Sequence, residues 1–442
     1  MIRPKLDMRF PRVADLLSLH FLMRRLLVGL VFALTMSARV VPALPKSTRP
    51  PQGMLPTGPG APDLAQHTDP INFEKDVRDA HVLFYNMDYD QALHLFETVQ
   101  RAHAQSAIAL DYILMTLVFH ELYHQDLLDT TYYAHDSFLT SKRSVSVPDA
   151  TRQRIESVTD AAIGLCDQQI RSNASDKNAW FARGYARGMH ATFLTLVDHS
   201  YVAAARQGLA ARNDSEQVLR LDPDYQDAKM AVGIQQFAVA SLPRLLRLMI
   251  GITGVGGSKE KGLELLREAA AGGMVTRVEA RTALSLFLRH EGRYADALTV
   301  QHGLAQEFPH DYLFRLEEAN LTKDQGNGPA AIAAYRAVLS DARRPGYFVD
   351  ARLQMAWFGL ADTERGQGDI ESAAKHYLEA SEQPNCSDWL RKRADLNAGQ
   401  MLDLLHDRGG AVRHYQLAAA GVGDQSQAET ARRYLKLPYQ GR

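Results

Sequence analysis

The chain has 442 residues, of which 46% are hydrophobic and 23% are charged, and its formal net charge at pH 7 is −1. This composition excludes a chain that is disordered throughout, because it supplies enough apolar surface for a folded core. The near-neutral charge gives no basic field of the kind that nucleic-acid-binding domains carry. The length excludes one compact core, so we expect an extended array or several domains.

The N-terminal residues have the layout of a secretory signal peptide. A pair of arginines precedes an apolar run over 26–36, and small residues follow up to Ala43. The run is too short to span a bilayer as a helix. We therefore predict a signal peptide over 1–43, with translation starting at Met23 and export to the periplasm or the medium; residues 41–43 offer a cleavage site. A Pro/Gly-rich linker over 44–70 follows it.

Helical segments separated by turns occupy the rest of the chain, in two regions. Residues 71–275 are predicted to form a divergent N-terminal region of helical repeats, with a Gly-rich loop over 251–258. Residues 276–442 are predicted to form a regular array that ends in a capping helix, which an open solenoid end requires. The two cysteines, Cys166 and Cys386, are far apart in such an array, so we predict two buried thiols rather than a disulfide.

Small residues recur at fixed intervals in the regular region. Four alanines follow one another at spacings of 34, 42 and 38 residues, namely Ala297, Ala331, Ala373 and Ala411. Another small residue lies twelve positions before each of them: Ser285, Ala319, Ala361 and Gly399. A tyrosine stands four residues after three of the alanines. This pattern is typical of stacked helical hairpins whose two helices cross closely, with the aromatic ring filling the space to the next helix.

These positions resemble the tetratricopeptide repeat (TPR) family, most clearly over 277–420. The resemblance implies an all-α, right-handed solenoid that binds other proteins and has no catalytic activity. The matching residues are Trp180, Gly184, Pro223, Ser285, Ala297, Pro309, Ala319, Ala331, Tyr335, Ala361, Ala373, Tyr377, Gly399, Ala411 and Tyr415. The 42- and 38-residue spacings depart from the family pattern, and they affect the expected superhelical pitch rather than the fold class.

A second resemblance covers residues 229–320. Phe237, the sequence Ser241-Leu242-Pro243, the Gly-rich turn and the sequence 261–266 are similar to the inclusion-body-clearance and outer-membrane TPR family of eukaryotes. That family implies a non-enzymatic adaptor. Because the export signal indicates a bacterial protein, only the architecture is carried over.

The sequence His120-Glu121-Leu122-Tyr123-His124 matches the H-E-x-x-H pattern. On a helix, His120 and His124 share a face and can bind zinc, while Glu121 activates water. No histidine follows at the spacing of a third zinc ligand, and the first downstream glutamate is Glu156. We therefore predict no enzyme activity, no metal and no cofactor, and keep a zinc-dependent hydrolase using 120–124 as an alternative.

Two further features allow weaker interpretations. The Gly-rich loop over 251–258 lacks the Gly-Lys-Ser/Thr order of a phosphate-binding loop, which favours a simple loop or hinge. The stretch 243–250 carries Arg244 and Arg247 among apolar residues, so a peripheral membrane-associated assembly factor is a second alternative. No span across a membrane is expected in the mature protein.

The first helix of each hairpin lines the concave groove of a TPR array. By register, its outward positions carry both charges and amides, which suits an extended peptide or a partner helix. We predict that the following residues bind a protein partner: Arg289, His290, Asn320, Lys323, Asp362, Arg365, Gln400 and Asp403. The sequence therefore predicts an exported, soluble scaffold for protein–protein interaction that does not bind nucleic acid.

Overall fold

The computed structural model describes residues 64–133, 145–241, 256–421 and 423–441. The predicted signal peptide, most of the linker, residues 251–255 of the Gly-rich loop and the stretch 243–250 lie outside these ranges. None of the helices in the described ranges is long and apolar enough to cross a membrane. The described chain is a succession of α-helices joined by short turns.

Seventeen α-helices follow one another in the described ranges. The first seven are α1 Lys75–Tyr85, α2 Tyr89–Ala102, α3 Ala107–His124, α4 Asp149–Ser172, α5 Lys177–Leu196, α6 Tyr201–Leu221 and α7 Lys229–Ser241. The next four are α8 Lys259–Gly272, α9 Arg277–His290, α10 Tyr294–Glu307 and α11 Tyr312–Asp324. The last six are α12 Gly328–Asp341, α13 Gln354–Gly366, α14 Ile370–Glu382, α15 Asp388–Leu404, α16 Arg408–Ala419 and α17 Gln425–Lys436. Each helix packs against the next one along the chain, as in a solenoid.

Local sequence explains where many of these helices begin and end. An aspartate accepts a hydrogen bond from the first-turn backbone of α2, α5, α11, α14 and α16, which satisfies donors that the helix itself leaves free. The turns after α9, α11 and α13 contain Gly292, Gly326 and Gly368, all with positive φ. Glycine adopts that backbone conformation without the steric penalty of a side chain.

The predicted close crossing of the two helices in each hairpin is confirmed. Ala297, Ala331, Ala373 and Ala411 have no exposed surface, and Tyr335, Tyr377 and Tyr415 are equally buried. Gly399 on α15 lies directly under the ring of Tyr415, where a β-carbon would come within 2.6 Å of Cε1. The all-α solenoid of TPR-like hairpins expected from the spacing is therefore the fold of the described chain.

The 42-residue spacing reflects a longer connection between hairpins, whereas the 38-residue spacing reflects a longer helix, since α15 has 17 residues and α11 and α13 have 13 each. The 42-residue interval contains the connection between α12 and α13, and the 38-residue interval contains the one between α14 and α15. The first connection includes Phe348, whose ring packs 5.9 Å from that of Tyr312. These extra residues are thus part of the packed structure rather than loose insertions.

The N-terminal helices pack against the first helices of the later hairpins. One continuous apolar core runs from Ile71 through α3 and reaches Leu390 on α15. The Tyr85 hydroxyl on α1 donates to the Glu279 carboxylate on α9 at 2.9 Å, although 194 residues separate them. We call the surface of α9, α11, α13 and α15 that meets these N-terminal elements the inner face.

Candidate interaction surface

The eight predicted binding residues lie two by two on the helices of the inner face. Arg289 and His290 are on α9, Asn320 and Lys323 on α11, Asp362 and Arg365 on α13, and Gln400 and Asp403 on α15. The hairpin stacking brings members of neighbouring repeats together, since Lys323 Nζ lies 3.3 Å from the Asp362 carboxylate. Their role in binding a partner stays a prediction, but the structure shows what each of them contacts.

Buried tyrosine hydroxyls orient three of these side chains. The hydroxyl of Tyr335 donates to the Asn320 side-chain oxygen at 2.6 Å. Tyr377 donates in the same way to Asp362 at 3.2 Å, and Tyr415 donates to Asp403 at 2.8 Å. Sequence reasoning gave these tyrosines only a packing role. The presence of tyrosine rather than phenylalanine at all three positions could have indicated these hydrogen bonds, because a buried hydroxyl needs a hydrogen-bond partner.

Arg289 and Asn320 are buried by another part of the same chain. Each is 3% exposed. The Arg289 guanidinium donates to Thr130 Oγ1 at 3.1 Å and to Thr131 Oγ1 at 3.2 Å. The Asn320 amide donates to the Asp129 carboxylate at 3.2 Å. Any partner that uses these two residues must therefore first displace residues 129–131.

Carboxylates surround Arg289 on its own side of this contact. Its guanidinium lies 3.0 Å from Glu317 and 2.6 Å from Asp324. Burial by itself would lower the pKa of Arg289, but these carboxylates outweigh it and raise the pKa. The side chain is a fixed structural charge.

We call residues 125–131 the crossing segment, because they contact the four inner-face helices in turn. Trp389 Nε1 on α15 donates to the Gln125 carbonyl at 2.8 Å. Asp126 then binds residues at the start of α13, Asp129 reaches α11, and Thr131 reaches α9. The crossing segment thus runs along the inner face in the direction opposite to the order of the hairpins.

Four of the six remaining predicted residues form a less covered part of the inner face. Lys323, Asp362 and Arg365 make a charge group in which Arg365 lies 3.0 Å from Asp362. Burial would raise the pKa of Asp362, but Lys323 and Arg365 outweigh it and lower the pKa, so the group is ionised. Arg365 keeps 38% of its side chain exposed, and Gln400 is half-buried. We call Lys323, Asp362, Arg365 and Gln400 the open patch.

His290 and Asp403 lie beyond the two ends of the open patch. His290 sits 3.2 Å from Glu291 and edge-on to the Phe237 ring. Asp403 is buried, lies 3.1 Å from Arg408 and accepts a hydrogen bond from the backbone of Tyr439 at 2.8 Å. The residues that follow α17 therefore cover Asp403.

The H-E-x-x-H residues lie near the carboxyl end of α3, as expected for a helix. The rings of His120 and His124 are 4.2 Å apart between centroids, and His120 also stacks on Tyr89. Burial and then the charge of His124 lower the pKa of His120. Glu121 is 5% exposed and accepts a hydrogen bond from the Gln125 amide at 2.8 Å.

A zinc hydrolase needs a third ligand and a glutamate free to activate water. Within the described ranges, no three His, Cys, Asp or Glu side chains are grouped so that they can hold a metal ion. Glu121 is already engaged by Gln125. The two histidines thus form an aromatic pair on α3.

No protein-family model matches the sequence, and no curated protein matches it. Solved structures of TPR proteins are similar in fold. Cut9, in the crystal structure of the APC/C hetero-tetramer Cut9–Hcn1, is 11% identical with a TM-score of 0.47, and the match covers 85% of this chain and 58% of that one. Yeast Tom70 is 12% identical with a TM-score of 0.41 over 85% of this chain and 89% of its own.

A TPR protein from Parabacteroides merdae is also similar. It is 13% identical, with a TM-score of 0.32 over 73% of this chain and 98% of its own. These similarities concern the fold. The assignment of TPR-like hairpins rests on the helix pairs, buried alanines and buried tyrosines described above.

Proposed function

We propose that this protein is an exported, non-catalytic scaffold that binds a partner protein at the open patch. The open patch supports the proposal because its charged side chains are partly exposed yet held in place. Tyr377 fixes Asp362 from behind, and Lys323 and Arg365 flank that carboxylate on either side. Preorganised polar groups lose little side-chain freedom on binding, so more of the contact energy remains as affinity.

The pattern of charges indicates the kind of partner. Two cations and one carboxylate alternate along the patch, and Gln400 on α15 adds an amide. An extended segment or a helix carrying both charges and backbone acceptors fits such a surface by hydrogen bonding. The crossing segment supports this mode of binding, since the same inner face already holds a peptide through arginine, asparagine and tryptophan donors.

Export is inferred from the sequence of residues 23–43. The absence of catalysis is inferred from the engagement of Glu121 by Gln125. Together they favour a periplasmic or secreted adaptor.

Photo-crosslinking tests the proposed surface. A photoreactive amino acid is placed at Arg365 or at Gln400, and at Glu371 or Lys375 as matched controls, because the latter two are exposed on the neighbouring helix α14. After irradiation of source cells that express each variant, we expect the same protein adduct from Arg365 and Gln400 and none from the controls. Adducts confined to the α14 positions would contradict binding at the inner face.

A further inference from the structure

Asp126 lies at the centre of a buried hydrogen-bond cluster that joins distant parts of the chain. Its Oδ1 accepts hydrogen bonds from Arg352 Nε at 2.7 Å and from Gln354 Nε2 at 2.8 Å. Its Oδ2 accepts a hydrogen bond from the Ser387 backbone N–H at 2.9 Å. The Asp126 carboxylate has no exposed surface, and Arg352 and Gln354 are 5% and 1% exposed. Charge-assisted hydrogen bonds of this kind are the strong ones in proteins.

The backbone at Asp126 places its carboxylate at the carboxyl end of α3 in a left-handed conformation. The residue follows the carboxyl end of α3 with φ of +55°. Its N–H bonds the Tyr123 carbonyl at 3.1 Å, and the Leu127 N–H bonds the Leu122 carbonyl at 2.8 Å. This is the hydrogen-bond pattern that usually ends a helix with glycine in the left-handed conformation. Aspartate at this position accepts a steric cost that glycine would avoid.

The donors to Asp126 come from two successive junctions between hairpins. Arg352 lies in the long connection between α12 and α13, Gln354 begins α13, and Ser387 lies in the short connection between α14 and α15. The Asn385 carbonyl in the second connection accepts a hydrogen bond from the Gln354 amide at 3.2 Å and another from Arg352. Residues of both connections thus surround a single carboxylate.

We propose that Asp126 is an intramolecular latch that holds the crossing segment on the inner face and fixes the pitch of the last two hairpin junctions. In a solenoid each repeat touches only its neighbours, so small rotations at each junction add up to large changes in shape. The latch instead ties α13 and α15 to α3 across 226 to 261 residues of sequence. It rests on the proposed function in one respect, since it controls access to the inner face beside the open patch.

Loss of the Asp126 carboxylate removes the hydrogen bonds that hold the two connections against the crossing segment. Arg352 and Gln354 would still share the Asn385 carbonyl as an acceptor but would lose the negatively charged one. A buried guanidinium without its counter-charge is costly, and movement into water relieves that cost. We therefore expect local opening of 383–390 while the hairpins remain folded.

The two native cysteines report such an opening without added labels. Cys386 is one residue before the Ser387 donor and is 8% exposed, whereas Cys166 on α4 is fully buried. Burial raises the pKa of the Cys386 thiol to about 12, which keeps it unreactive. In D126A we expect alkylation of Cys386 to be about tenfold faster or more, with Cys166 as slow as in the wild type.

Asp227 provides a matched control. It is also a buried aspartate with several donors, the Met274, Val275 and Thr276 N–H groups at 2.8–3.1 Å, but it joins elements fewer than 50 residues apart. D227A should lower the thermal midpoint without selective reaction of Cys386. R352M removes the principal donor to Asp126 and should expose Cys386 as D126A does. The double variant D126A/R352M should alkylate Cys386 little faster than either single variant, because both remove the same contact.

Equal protection of Cys386 in folded D126A and in the wild type would overturn the latch. So would a parallel increase at Cys166, because that would mark general unfolding. None of these outcomes depends on a partner, so they are independent of the crosslinking test at Arg365.

Discussion

Gly399→Ala tests whether the close helix crossing sets the stability of the array. Gly399 lies within α15, and a β-carbon there would be 2.6 Å from Tyr415 Cε1 and 2.8 Å from Cδ1. The ring cannot easily move aside, because it is fully buried and its hydroxyl is bonded to Asp403 at 2.8 Å. The substitution therefore forces overpacking of a closed contact.

Two opposing terms decide the size of the effect. Alanine is favoured over glycine within a helix by about 1 kcal/mol. Overpacking of a closed core typically costs about 1–3 kcal/mol. A β-carbon at 2.6 Å lies far inside van der Waals contact, so we place this site toward the upper end of that range. We then expect a net loss of roughly 1–2 kcal/mol in the free energy of unfolding.

Gly188→Ala is the matched control, since Gly188 lies within α5 and a β-carbon there would meet nothing within 4 Å. It should stabilise the protein by about 0.5–1 kcal/mol. Urea unfolding followed by helical circular dichroism compares the two variants. In the Gly399→Ala background, Tyr415→Leu should cost less than it does alone, because it removes the clash. If Gly399→Ala were as stable as Gly188→Ala, the explanation of the small-residue spacing would be wrong.

Three further outcomes are expected. Burial raises the pKa of Asp311 to about 8, so between about pH 4 and pH 8 its carboxyl is ionised in the unfolded chain but still protonated in the folded protein. The free energy of unfolding should therefore fall as pH rises through this range. Asp311→Asn can still accept the Leu313 N–H, and its thermal midpoint should not show this fall. Tyr335→Phe should cost about 1–2 kcal/mol in urea unfolding, because it leaves the Asn320 oxygen without its donor. Elemental analysis should find no stoichiometric zinc in the purified protein, and the zinc content of His120→Ala should be the same. Stoichiometric zinc that this substitution removes would instead support the zinc-dependent hydrolase.

Sequence periodicity predicted the fold because hairpin packing is local. Contact between adjacent helices sets the spacing of pairs such as Ala331 with Tyr335 and Ala373 with Tyr377. Each such contact joins residues within about 40 positions in the sequence, so it produces a detectable period. Helix ends could also be predicted from the sequence, since Asp369 lies at a helix start, where a carboxylate caps the first-turn backbone N–H groups. The fold class and the TPR resemblance were confirmed for this reason.

The crossing segment was not predicted, because its contacts leave no periodic signal. The bonds of Asp129 and Thr131 to α11 and α9 join residues 158 to 191 positions apart. A solenoid interpreted from its repeats assumes that the inner face is empty, and this assumption placed Arg289 and Asn320 on a free groove. The structure instead buries both under the chain's own residues.

The 42-residue spacing was the one feature of the sequence that could have indicated such a long-range contact. A connection that lengthens a repeat by several residues costs conformational entropy and weakens the regular packing of neighbours, so it persists where it makes other contacts. Here the long connection between α12 and α13 brings Arg352 to the Asp126 carboxylate. In a repeat protein, the intervals that break the period are therefore the places to look for ties between distant hairpins. The intervals that keep the period describe only how neighbours stack.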